Sequence, residues 1–219
     1  MLTIAHILDA EDVARVREGL AAAPFVSGKK TAGSDAGKVK QNEQADTANA
    51  KVQALAKFVR AALERHPVFS LYARPSRWSN VMFSRYQCGD EYGFHVDDPT
   101  MGEGAGRLRT DLSFTLFLAD PDTYEGGALL VDSLDGEREV KLAAGSAVLY
   151  PTGALHRVTP VTSGERLAAV GWIQSLIRRA DEREILFDLG RTRASLPEGE
   201  ARLLLDKSIG NLVRLWGEP

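Results

Sequence analysis

Cysteine is almost missing from this chain: Cys88 is the only one in 219 residues. No internal disulfide can staple the fold, and a reducing compartment suits it, so a cytoplasmic location is expected. Long apolar runs are also missing. None approaches the ~18 residues that a membrane-spanning helix needs. No basic stretch precedes the first apolar residues; Asp9, Glu11 and Asp12 stand there instead, so no secretory signal is expected. Neither sign of charge dominates. There are 27 Lys and Arg against 30 Asp and Glu, a net charge of −3 that offers nucleic acid no basic footprint. No internal repeat and no low-complexity tract is visible. These absences set aside a membrane protein, a secreted disulfide scaffold, a DNA-binding module and a disordered chain. What remains is a chain with 44% apolar and 26% charged residues, able to bury a sizeable core.

The pattern along the chain is helix, then strands, then helix. Asp9 can cap a helix over residues 9–22 whose apolar positions are Val13, Val16 and Leu20. Residues 27–44 are rich in Gly, Ser, Lys and Asn and read as a loop with one short strand. Residues 46–66 read as a strong helix, with Val52, Leu55, Ala56, Val59 and Leu63 on one stripe and Pro67 as its stop. Short β-rich segments then follow at 78–87, 92–97, 109–119, 128–132, 138–142, 146–150, 156–161 and 167–174. The turn signals Cys88-Gly89-Asp90, Glu125-Gly126-Gly127, Asp135-Gly136 and Ser163-Gly164 separate them. Many short strands at regular spacing indicate a sandwich or jelly roll. Ser195-Leu196-Pro197-Glu198 reads as a capping-box start for a last helix striped with Leu205, Ile209, Leu212, Val213 and Trp216. The expected fold is mostly β with flanking helices. Residues 1–76 form a helical support packed on a barrel, 77–177 the jelly-roll core, and 178–219 a C-terminal helical annex, either a surface for a homo-oligomer or a lid on the core.

Histidine is scarce too, with four in the chain. His95 stands two residues before Asp97 in an expected strand, so both side chains point to one face while Asp98 points to the other. His156 follows 59 residues after Asp97, at the start of another strand. Two imidazoles and a carboxylate on neighbouring strands match the facial triad of non-haem Fe(II) oxygenases, which leaves three metal positions open. A His-x-Asp tripeptide alone arises by chance in roughly one sequence in four of this composition, so it carries little weight by itself. Arg166 adds weight. It lies ten residues past His156, opens the apolar run 167–172, and would be brought near the metal by a hairpin. A buried guanidinium there wants a carboxylate, held best in bidentate fashion.

The run Tyr86-x-x-Gly89-x-x-Tyr92-x-x-His95-x-Asp97, with a distal histidine and a basic residue ten positions on, resembles the Fe(II)/2-oxoglutarate dioxygenases of the prolyl 4-hydroxylase type. More narrowly it is similar to the bacterial PKHD-type hydroxylases, a group often associated with iron or siderophore uptake. Phe83-Ser84-Arg85-Tyr86, Leu112-Ser113-Phe114-Thr115-Leu116-Phe117-Leu118, Tyr124-Glu125-Gly126-Gly127, Tyr150-Pro151-Thr152 and Trp172-Ile173-Gln174-Ser175 carry the likeness, as do Lys40-Gln41-Asn42-Glu43-Gln44 and the helical tail. The resemblance implies a double-stranded β-helix. It implies iron held by His95, Asp97 and His156, and 2-oxoglutarate held through its distal carboxylate by Arg166 with help from Tyr86. It implies O₂ as oxidant and L-ascorbate as reductant. The reaction would convert 2-oxoglutarate to succinate and CO₂ while hydroxylating a C–H bond of an unidentified peptide, protein side chain or small molecule. Aspartate at position 97, where Gly or Ala would admit a halide, implies hydroxylation rather than halogenation.

Other residues have blander readings. Tyr92 is either a site residue or core, and Trp172 and the Gly126-Gly127 pair read as core and tight turn. Cys88 reads as a buried free thiol. Lys40, Asn42 and Gln44 are candidates for an active-site rim. Arg107 and Arg109 flank a loop at the mouth and would attract an anionic substrate. His6 and His66 have no partner pattern. A non-catalytic sensor of iron or 2-oxoglutarate is the rival reading. A cupin-like metal enzyme is a poorer one, because this chain has too few histidines.

Overall fold

In a computed structural model, which describes residues 1–31, 33, 35–133 and 135–218, two antiparallel sheets face each other as the expected jelly roll. The larger sheet has eight strands. Its path runs Leu2–Ile4, Ala147–Pro151, Leu112–Phe117, Arg166–Ser175, Met82–Tyr86, Glu43–Ala45 and Phe25–Ser27, and Pro75–Trp78 pairs with the far half of Arg166–Ser175. The smaller sheet runs Arg138–Val140, Leu129–Val131, His156–Val158, Glu91–His95 and Lys40–Gln41.

The central strand Leu112–Phe117 is buried at every position, because both faces of the large sheet are covered. Leu112, Phe114 and Leu116 point outward into a core shared with three helices. These are α1 (Ala10–Ala21), α2 (Ala50–Arg65) and α3 (Pro67–Ala73). Ser113, Thr115 and Phe117 point inward, the first two lining the cleft between the sheets. Strand alternation thus puts an oily face toward the helices and small hydroxyls toward the cleft. Val16, Leu20, Val59, Leu63 and Phe69 each bury at least 98% of their surface against the outer face, at roughly 1.5–3 kcal/mol per large side chain.

Asp9 caps α1 as expected, accepting from the Asp12 amide at 2.8 Å. The second helix starts later than residue 46. Asn49 caps it instead, and Asp46 accepts from the Ala48 amide in the turn before. Pro67 does end that helix, and it also begins α3, where its fixed φ and missing N–H suit a first turn. The expected strand 78–87 is broken after Trp78. Trp78 pairs with Ile173 and Met82 with Val170, so the chain carries one extra residue there, and the Ser79 hydroxyl accepts the Trp172 amide. The segment 27–44 holds the strand Lys40–Gln41 and two 3-10 turns; its residues 32 and 34 lie outside the described ones. The expected capping box at Ser195 is not one. Ser195 is the last residue of α4 (Ala180–Ser195), its hydroxyl donates to the Thr192 carbonyl, and α5 (Glu200–Trp216) starts after Gly199. The two helices make a C-terminal hairpin that packs through Phe187 against Tyr72 of α3. Among the described residues no helix is long and apolar enough to cross a membrane.

Candidate metal and co-substrate site

His95 ends the strand Glu91–His95 and His156 begins His156–Val158; the two residues stand directly opposite each other across the ladder. Their ring centroids are 4.2 Å apart, and both are at least 93% buried. Asp97 joins them by a different route from the one expected. The strand stops at His95, so alternation does not place Asp97. The carboxylate is held instead by donors from the large sheet: the Ser113 hydroxyl and the Trp172 indole N–H each donate to Asp97 Oδ2 at 2.8 Å. Asp98 is exposed at the mouth.

The tautomers suit a metal. His95 Nδ1 lies 2.8 Å from the Gly93 carbonyl and His156 Nδ1 2.9 Å from the Ala154 carbonyl, so each Nδ1–H donates to backbone. Each Nε2 is left with a lone pair facing Asp97, at 3.8 Å from Oδ1 for His95 and 3.7 Å from Oδ2 for His156. One donor atom from each of the three residues falls within 4.8 Å of the others. Burial and the neighbouring His156 push the His95 imidazole down to about 4, which keeps it neutral and able to donate electrons at neutral pH. Tyr92 stacks on His95 with centroids 3.5 Å apart, and Tyr150 meets His156 edge-on.

Arg166 is brought near, though not by a hairpin from His156. The chain crosses between sheets, so Arg166 opens a strand of the large sheet and faces the triad from the opposite wall. Tyr86 is its cross-strand partner. The guanidinium lies 5.1 Å from the Tyr86 ring centre and 5.5 Å from that of Phe117. It is 2% exposed, its Nε has no hydrogen-bond partner, and it makes no ion pair among the described residues. A buried cation without an anion is costly, and the site is therefore suited to receive one. Burial pushes the Tyr86 and Tyr124 hydroxyls up, while the Arg166 charge opposes the rise. Gly127, read as a turn residue, also shapes this site. Its φ is +62°, and a Cβ there would stand 3.1 Å from Arg166 Cδ and 2.9 Å from Val161 Cγ2.

Several readings change. Trp172 is not only core, since its indole N–H orients Asp97. Ser113 and the buried Tyr124 hydroxyl beside Arg166 are further candidate site residues that sequence reasoning did not single out. Arg109 is not a free attractant at the mouth; Asp111 and Glu218 bind it at 2.7 and 2.9 Å. Cys88 is exposed rather than buried.

A jelly roll with two histidines and a carboxylate between its sheets defines the non-haem oxygenase class. The model of the 2OG-Fe(II) oxygenase superfamily matches residues 81–174. A PKHD-type hydroxylase of Maricaulis maris is 48% identical over 222 residues, covering 100% of this chain and 99% of that protein. Another, from Hyphomonas neptunium, is 45% identical and covers both chains fully. Among solved structures, a prolyl-4-hydroxylase of Pseudomonas putida shares the fold with a TM-score of 0.52 at 23% identity, over 80% of this chain and 91% of that one. A Trichoplax adhaerens prolyl hydroxylase does so with a TM-score of 0.56 at 15% identity, over 84% and 86%. The chain belongs to the PKHD-type hydroxylases. It is an Fe(II)- and 2-oxoglutarate-dependent oxygenase, an enzyme rather than a sensor.

Proposed function

We propose that His95, Asp97 and His156 hold the Fe(II), and that Arg166 with the Tyr86 hydroxyl receives the distal carboxylate of 2-oxoglutarate. One observation carries the reading: both Nδ1–H groups are committed to backbone carbonyls, so both Nε2 atoms converge on one carboxylate. The donor set fits Fe(II), combining two neutral imidazoles with a carboxylate whose Oδ2 is held by Ser113 and Trp172. The unpaired, buried Arg166 fits a dicarboxylate co-substrate. Fe(II), 2-oxoglutarate and O₂ together supply the oxidation, which releases succinate and CO₂ and turns a substrate C–H into C–OH. The chain's own part is to fix the ligand tautomers, anchor the co-substrate at its far end and keep the cleft dry. Ascorbate serves as the reductant. The exposed thiol of Cys88 and the need for Fe(II) both favour a reducing cytoplasm.

The test is an anaerobic titration with Fe(II) and 2-oxoglutarate, read as the weak visible charge-transfer band of a chelated complex. His156→Ala should remove the band. Full Fe(II) binding by that variant would move the distal ligand to another residue.

A further inference from the structure

The segment 40–45 closes one open side of the barrel. Lys40 pairs with Tyr92 on the small sheet, and Gln44 pairs with Ser84 on the large one. Alternation turns Lys40, Asn42 and Gln44 inward, with 5%, 6% and 2% exposure, while Gln41 is exposed. Lys40 and Gln44 line the same cleft as the triad.

Lys40 has no counter-charge of its own. Its Nζ donates to Thr31 Oγ1 at 3.2 Å and lies 5.0 Å from the centre of the Tyr92 ring, the ring that stacks on His95. The Thr31 hydroxyl is itself bonded to the Gln44 side-chain oxygen. No carboxylate among the described residues comes within 4.0 Å of the ammonium. The other buried charges in the cleft have their own work under the proposed reading: Arg166 for the distal carboxylate of 2-oxoglutarate, Asp97 for the metal. Burying an ammonium without a counter-charge is costly, and one hydroxyl and one aromatic face offset that cost only in part. Burial lowers its pKa to about 8 and the Asp97 charge opposes the fall, so it remains largely charged at neutral pH.

We propose that Lys40 is the recognition point for an anionic group on the primary substrate, and that this substrate is a monocarboxylate with an apolar body. The inference rests on the assignment of Arg166 and the triad above. One ammonium answers one negative charge, whereas a phosphate dianion would leave a charge unpaired in the cleft. The remaining wall carries Ser84 and, exposed at the mouth, Asp98, but its apolar stretch of Met82, Val96, Met101, Val170 and Trp172 suits a hydrocarbon body carrying the C–H to be oxidised.

Hexanoate and hexanamide, equal in shape and different in charge, are the probes. The protein is loaded with Mn(II) in place of Fe(II) and saturated with 2-oxoglutarate, and Mn(II) broadening of the probe's methyl resonance reports its binding. Hexanoate should bind about tenfold more tightly than hexanamide, or better. Lys40→Met should bring the ratio to about one, and Lys40→Arg should keep most of it. Equal binding of the two probes by the unmodified protein would overturn the proposal, whatever the variants do. So would a preference that survives in Lys40→Met, or one that disappears as 2-oxoglutarate is raised to saturation. A Lys40→Met variant that loses 2-oxoglutarate affinity and keeps the hexanoate preference would assign Lys40 to the co-substrate, also against the proposal. Mn(II) and 2-oxoglutarate binding are measured first without probe. Failure at that stage refutes the underlying site assignment, and failure only with the probes refutes the role of Lys40.

Discussion

Replacing Arg166 with methionine should move stability and co-substrate binding in opposite directions. The guanidinium is 2% exposed, its Nε has no partner, and no ion pair neutralises it among the described residues. Without 2-oxoglutarate it is a buried, unanswered charge. A methionine of similar length would lie against the Tyr86 and Phe117 rings, where a thioether packs well. Exchanging buried ionic groups for well-packed apolar ones is commonly neutral or stabilising by about 1–4 kcal/mol. For a domain of this size each kcal/mol moves Tm by about 2–4 °C. Binding should respond the other way. Losing a desolvated charge-assisted pair costs on the order of 2–5 kcal/mol. That is a loss of roughly 30-fold to several thousand-fold in 2-oxoglutarate affinity. Arg166→Lys should fall at the mild end, since it keeps the charge and loses the two parallel donors. Metal affinity measured without 2-oxoglutarate should change little. The assay is thermal unfolding of Mn(II)-loaded protein across a range of 2-oxoglutarate concentrations, with calorimetric titration beside it. A Tm of the co-substrate-free Arg166→Met protein lowered by more than a few degrees, or equal stabilisation of variant and parent by 2-oxoglutarate, would refute this role for Arg166.

Trp172→Phe keeps an aromatic ring and removes one of the two donors on Asp97 Oδ2. Losing such an outer partner should weaken metal affinity by about 10–100-fold with the fold retained, measured by Mn(II) titration and circular dichroism; unchanged affinity would mean that Ser113 alone orients the carboxylate. Lys40 gives a pH signature. Its pKa is held down to about 8 in the folded chain against 10.5 when unfolded, so below about pH 8 the full cost of burying the charge is present. Between about 8 and 10.5 the unfolded chain binds more protons, and stability gains on the order of 3 kcal/mol as pH rises through that window. The stability advantage of Lys40→Met over the parent should therefore shrink from about pH 8 to 10.5 in parallel denaturant unfolding, and an advantage independent of pH would show that Lys40 is already paired.

The elements that were legible in the sequence are those whose cause is local. Val13, Val16 and Leu20 repeat at helical spacing with Asp9 ahead of them, and the helix forms there. The alternation in Leu112–Phe117 separates an outer apolar face from an inner one that carries the hydroxyls of Ser113 and Thr115 beside Phe117. The short strands Phe25–Ser27 and Glu43–Ala45 were not legible, because only their pairing with each other and with Met82–Tyr86 makes them strands. The Ser195 capping box fails because the Ser-x-x-Glu spacing here runs from the last residue of α4 into the linker, with Glu198 still two residues short of α5. The site divides in the same way. His95, Asp97, His156 and Arg166 are candidates by residue type and spacing, since metal and carboxylate binding would restrict which side chains could serve, and the fold brings all four to one cleft. How they meet is not legible in the sequence. His95 and His156 face each other through a cross-strand register, and Asp97 is aimed by Ser113 and Trp172, 16 and 75 residues away in the chain. An indole N–H in an apolar run looks the same in sequence whether it packs or donates. Only the fold decides which buried acceptor it meets, and here that acceptor is the carboxylate of the triad.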